Sequence, residues 1–108
     1  MLTRHVRPVA VLVTALSLAA WQALASDPAI SGGSGSSRKT AIVVHASSAA
    51  AGVRVQDAYL KGHYPGYRFI RHAFAFYQGK SYDIITFIDA HGKKHSLSFD
   101  ISEYFRPK

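Results

Sequence analysis

The stretch from Tyr67 to Ile101, YRFIRHAFAFYQGKSYDIITFIDAHGKKHSLSFDI, decides the fold. Apolar residues recur in it with a period near two, the mark of strands with one buried face. Two turn signals cut it into three. Gln78-Gly79-Lys80 separates an aromatic first strand from Ser81 to Asp89, and Ala90-His91-Gly92 separates that from Lys94 to Ile101. A Gly in such a three-residue loop takes the left-handed position. The last strand alternates cleanly, with His95, Leu97, Phe99 and Ile101 on one side and Lys94, Ser96, Ser98 and Asp100 on the other. Pairing Asp89 with Lys93 sets Ile85 opposite Leu97 and Phe87 opposite His95. The expected core face is then Ile85, Phe87, Leu97, Phe99 and Ile101. The first strand, Tyr67 to Tyr77, has two registers, because a slip of one residue exchanges its faces. A two-residue Gln-Gly turn puts Ile70, Phe74 and Phe76 on the core side. A three-residue turn puts Phe69, Ala73, Ala75 and Tyr77 there. The first is preferred because it buries larger side chains. Tyr82 faces the other way in both.

Upstream the pattern changes. Thr40 to Ala46 is a short β-branched run and reads as a strand. Ser47 and Ser48 can cap a helix, since a serine oxygen satisfies a free N–H of the first turn. Residues 48–62 fit the helical period, with Ala51, Val55, Ala58 and Tyr59 as the apolar stripe. Asp57 and Lys61 form an i, i+4 pair on the wet side. Gly62 is placed to stop the helix, and Pro65-Gly66 marks a turn. Downstream, residues 102–105 suit one helical turn folded over the sheet. The expected architecture is α+β in two layers. One helix packs on a small antiparallel sheet in the order strand, helix, three-stranded meander, because neither layer can bury its apolar side alone.

The ends of the chain carry different information. Residues 1–8 hold Arg4 and Arg7 and no acid, Val9 to Trp21 is a 13-residue apolar run, and Ala23 and Ala25 sit where a signal peptidase reads. This is the tripartite export signal, with cleavage expected after Ala25. The run is well short of the roughly 20 residues of a membrane-spanning helix. Residues 26–38, rich in Gly and Ser, read as a flexible leader. Residues 39–108 are the single domain. The expected location is periplasmic or secreted, and the expected form is not integral to the membrane. Without residues 1–25 the chain has 83 residues, 11 basic and 6 acidic, a net charge of +5 with histidines neutral. That favours anionic or acidic partners. The sequence has no cysteine, which excludes thiol catalysis, cysteine zinc sites, iron–sulfur clusters and disulfides.

The order of elements resembles the PepSY-like domains of exported bacterial proteins, a small α+β fold related to β-lactamase-inhibitor-type modules. The resemblance covers roughly Thr40 to Phe105. It rests on an Ala-rich helix ending in Tyr64-Pro-Gly-Tyr67, an aromatic strand, a Gly79-Lys80 turn, a strand opening Tyr82-Asp83, an Asp89-Ala-His-Gly92 turn and a strand closing in Phe99-Asp100. The strand-like segment Ala41 to His45 departs from that pattern. The family implies a non-catalytic module of the cell envelope that binds or restrains other proteins, peptidases among them. It supplies no catalytic residues.

The residues themselves point the same way. His91 and His95 are four apart but fall on a turn and a strand, where that spacing does not align two metal ligands as it does on a helix. Asp89 and Asp100 read as turn and strand-end residues, and Asp83 as facing an Arg or Lys across the hairpin. There is no Gly-x-Ser-x-Gly elbow and no phosphate-binding glycine loop. No catalytic residue, metal or cofactor is expected. The run from His63 to Lys80 interleaves bases with aromatics. That mixture can stack nucleobases, but an export signal makes nucleic acid an unsuitable partner. Tyr and Arg are enriched at interface hot spots, so Tyr64, Tyr67, Arg68 and Arg71 are the candidate protein-binding residues. The expected function is an exported binding or regulatory module docking on another envelope protein, a peptidase being one option. The alternative is a basic protein held on anionic lipid or polymer by charge.

Overall fold

A computed structural model describes residues 28–106. The export signal expected in residues 1–25 lies outside the described residues. The elements are β1 (Ile30–Gly32), β2 (Ile42–Val44), α1 (Ala49–His63), β3 (Arg68–Tyr77), β4 (Lys80–Ile88) and β5 (Lys94–Asp100). They form an α+β fold of one helix and a five-stranded mixed sheet in the order β1-β2-β5-β4-β3. β2 runs parallel to β5, and the other neighbours are antiparallel.

Two strands precede the helix rather than one. The additional strand, β1, falls inside the stretch whose Gly/Ser content reads as a leader. Ile30 pairs with Val44 and Gly32 with Ile42, and Ile30 packs against the core. The chain then follows the sheet, and the Gly35 carbonyl accepts from the Ser98 amide at 2.8 Å. Gly35 is buried at φ +85°, and a β-carbon there would press on the Ile42 side chain at 2.7 Å. The glycines in this segment therefore permit close backbone approach, a role that composition cannot distinguish from flexibility.

The central pairing matches the sequence register. Ile85 faces Leu97, Phe87 faces His95, and the Asp89 amide donates to the Lys93 carbonyl at 2.8 Å. Asp89 builds this turn, its Oδ1 accepting from the amides of His91 and Lys93 at 2.9 Å each. The β3–β4 turn has two residues, Gln78 (φ 49°) and Gly79 (φ 77°), both left-handed as a tight hairpin of this hand requires. Phe74 and Phe76 therefore pair with Asp83 and Ser81, whose side chains share the helix-side face with Ile85 and Phe87. Ile70 does not join them. The register slips between Phe69 and Arg71, and Phe69 takes the place opposite Phe87. Each sequence register is thus right for one part of the strand, and a bulge joins the two parts.

Ser48 caps α1, its Oγ accepting from the Ala51 amide at 3.2 Å. The helix runs through Gly62 and ends at His63. Tyr64 has left the helical conformation (φ −134°, ψ 64°), which a residue before proline disfavours, so Pro65 and not Gly62 provides the stop. The buried stripe is Gly52, Gln56 and Leu60, with Val55 and Tyr59 half-buried beside it; Ala58 is exposed. The sequence stripe is rotated from this one because Gln56 counts as polar. Gln56 is buried nonetheless, with both ends of its amide hydrogen-bonded. The core consists of Ile42, Val44, Leu60, Ile85, Phe87, Leu97, Phe99 and Ile101. Among the described residues, no helix is long and apolar enough to cross a membrane.

Candidate functional site

Five strands at about 4.8 Å spacing place the outer strand axes about 19 Å apart, while one helix is about 10 Å across. A single helix therefore covers only about half of a five-stranded face. α1 lies toward β2, with Leu60 in the cluster around Ile42 and Val44 and the Tyr59 ring edge-on to Phe99 at 5.8 Å. The β3 side is left open. Phe69, Phe74 and Phe76 are 58%, 49% and 52% exposed. Between α1 and β3 runs a groove of about 400 Å³, walled by Val53 and Leu60 on one side and Phe69 and Phe74 on the other. Its end is closed by the turn after β5. There Phe105 stacks on Phe74 at 5.1 Å and on Phe76 at 6.2 Å.

The floor of this apolar groove is polar. Asp83 projects from β4 and is 6% exposed. Its Oδ2 accepts from Gln56 Nε2 at 3.1 Å, and Gln56 Oε1 accepts from the Tyr104 hydroxyl at 3.2 Å. Burial, with the Asp83 charge adding to it, pushes the Tyr104 phenol up to about 12, so it remains a donor. Asp83 Oδ1 is different: it is buried and has no hydrogen-bond partner. His72 Nδ1 lies 3.3 Å from it, near enough for charge attraction but not aligned as a hydrogen bond. Asp83 does not face an Arg or Lys across the hairpin. Its cross-strand neighbour is Phe74, and its nearest base is His72. At the far end of the groove Asp57 is already satisfied. Lys61 at 2.9 Å and the Tyr67 hydroxyl at 3.0 Å hold its carboxyl below the usual range.

The four residues singled out in the sequence do not form one surface. Tyr64 and Tyr67 are half-buried and pack edge-on to Phe87, at 4.8 and 5.7 Å between ring centres. Tyr67 also lines the groove. Arg68 and Arg71 pair with Ile88 and Thr86, so they project from the opposite side of the sheet. The groove residues that sequence reasoning missed are Gln56, Phe69, His72, Phe74 and Asp83. One signal for them was present: a two-residue turn places an aspartate at a core-facing position opposite Phe74, and a carboxylate there is rarely idle.

Three other histidines have separate partners, His63 among them with the Tyr59 carbonyl at 3.0 Å. His45 lies 2.9 Å from Glu103, and His95 donates to Asp89 at 2.8 Å while stacking on Phe87. Among the described residues, no three His, Cys, Asp or Glu side chains converge as a metal site would need. Comparison of the chain with models of known families, with curated proteins and with solved structures gives no match.

Proposed function

We propose that this chain is an exported, non-catalytic, PepSY-like binding module that docks on another protein of the cell envelope, and that docking uses the groove between α1 and β3. The observation that carries the reading is the open half of the helix-side face. Three large aromatics there are about half exposed next to a concave, mostly apolar surface. Exposed apolar patches of this kind mark interaction sites. A groove of a few hundred Å³ with a few convergent polar groups is the common form of a binding cleft.

A second reading has its own support. Arg68 and Arg71 are exposed on the other face of the sheet, in a chain of net positive charge. That face could hold anionic lipid or polymer by charge. The two readings use opposite faces, so substitutions separate them. The test is crosslinked capture from envelope extract at low and at high salt, with the chain expressed from Met1 and used as the host delivers it. Docking through the groove predicts a single partner retained at high salt, lost with Phe74→Arg and kept with Arg68→Ser/Arg71→Ser. Charge-held binding predicts release by salt, since screening shortens the reach of exposed charges to a few Å, and loss with the arginine variants. Retention by Phe74→Arg with an unchanged circular dichroism spectrum would sink the groove reading.

A further inference from the structure

We infer that the segment docked in the groove is an amphipathic helix lying beside α1 over β3 and β4, with one cationic side chain at the centre of its apolar face that reaches Asp83 Oδ1. The inference rests on the docking reading above and names the partner element.

Three observations lead to it. The first is width. The uncovered part of the sheet face is about as wide as the part α1 covers, and a second helix is the body that completes such a layer. An apolar helix face fits a groove walled by Val53, Leu60, Phe69 and Phe74. The second is the position of the unsatisfied oxygen. Asp83 stands on β4, one strand in from the edge. A strand added to the free side of β3 would run about 10 Å from β4, and its side chains would flank β3 rather than sit over Asp83. A helix laid over β3 and β4 passes directly above it. The third is charge. The groove is lined by two carboxylates, Asp57 and Asp83, by His72 and by the phenols of Tyr67 and Tyr104. With histidine neutral the groove is acidic within a basic chain. Asp57 is occupied by Lys61 and Tyr67, and Asp83 Oδ2 by Gln56, which leaves Asp83 Oδ1. A buried carboxylate oxygen lacking a hydrogen bond is costly until a donor reaches it. An ammonium or guanidinium group supplies that donor and opposite charge together. His72 is half exposed and sits over Oδ1, so its imidazole must swing aside to admit the cation.

The test uses synthetic helical peptides of about 15 residues, the length of α1, with a leucine–alanine face and a central lysine, norleucine or glutamate. Binding to the full chain, expressed from Met1, is followed by amide chemical shifts and by titration. The expected result is shifts along α1, β3 and β4, with the lysine peptide bound at least about tenfold tighter than the norleucine peptide and the glutamate peptide weakest. In Asp83→Asn that preference should fall to within about twofold. Should Asp83→Asn fail to fold, lysine against norleucine on the unaltered chain decides. Equal affinity for the three peptides overturns the inference. So does a free protein that is already a dimer with protected β3 amides, which would make a second copy the occupant. Partner capture that is lost in Phe74→Arg, without any lysine preference, would leave the docking reading standing and remove only the cationic helix.

Discussion

The helix-side face of the sheet has two halves of similar composition and opposite fate. Across β2, β5 and β4, Ile42, Val44, Phe99 and Phe87 have essentially no exposure. Toward β3, Phe69, Phe74 and Phe76 stand about half in solvent. Alternation in the preferred register puts Phe74, Phe76, Phe87 and Phe99 on one side of the sheet, as the strand pairings have them, and Phe69 joins that side through a bulge. Period-two patterning says which face a side chain is on. It does not say whether anything lies over that face. Coverage depends on how many helices the chain supplies per strand, and among the described residues one helix serves five strands.

The sharpest way to break this comparison is to truncate one phenylalanine from each half. Phe99→Ala removes a fully buried ring and should cost about 3–5 kcal/mol in chemical denaturation. Phe74→Ala removes a half-exposed ring whose stacking partner is Phe105, and should cost about 1 kcal/mol. Equal costs would mean the two halves are not different environments, and that β3 is covered in solution.

The border between the halves is tested by Gly52. It lies on α1 beneath the Tyr104 ring, and a β-carbon would collide with that ring. In an exposed helix, Gly→Ala gains about 1 kcal/mol. Here we expect Gly52→Ala to destabilise by about 1–3 kcal/mol, because Tyr104 must move and its bond to Gln56 breaks. Thermal or urea unfolding measures the sign. A stabilised variant would show that Tyr104 yields freely and that the polar floor of the groove is not held from this side.

Much of the fold was legible because its signals are local. Ser48, the Asp89 turn, the Gln78-Gly79 hairpin and the pairing of Ile85 with Leu97 each follow from a few adjacent residues. What escaped depends on contacts distant in sequence. Residues 30–32 look unstructured by composition and become a strand because β2 offers them an edge. The helix stripe is rotated because Gln56 finds Asp83, 27 residues away, and Tyr104, 48 residues away. The groove was missed for the same reason. Tyr and Arg content pointed to Tyr64, Tyr67, Arg68 and Arg71, whereas concavity is set by where α1 ends and β3 continues.

The smallest expected effect lies at the loop end of the covered half. Asp89 joins the β4–β5 turn to the core, since His95 donates to it and stacks on Phe87. The His95 hydrogen bond, the Lys93 amide and, more weakly, the His91 amide lower the Asp89 carboxyl to about 2. A carboxyl held below its unfolded value of 3.8 stabilises the fold fully above that value, and the contribution fades as pH falls toward about 2. Asp89→Asn should therefore lower the urea midpoint near pH 5 and converge on the parent as pH approaches 2. Asp57 is lowered in the same direction, but it lies at the far end of the open groove, and Lys61 is the first cause. Replacing it should leave the Asp89 difference unchanged. Parallel midpoint curves for Asp89→Asn and the parent across pH 2–5 would mean that the turn is not held by this charge. In that case the covered half would owe its order to apolar packing alone, up to and including its loop.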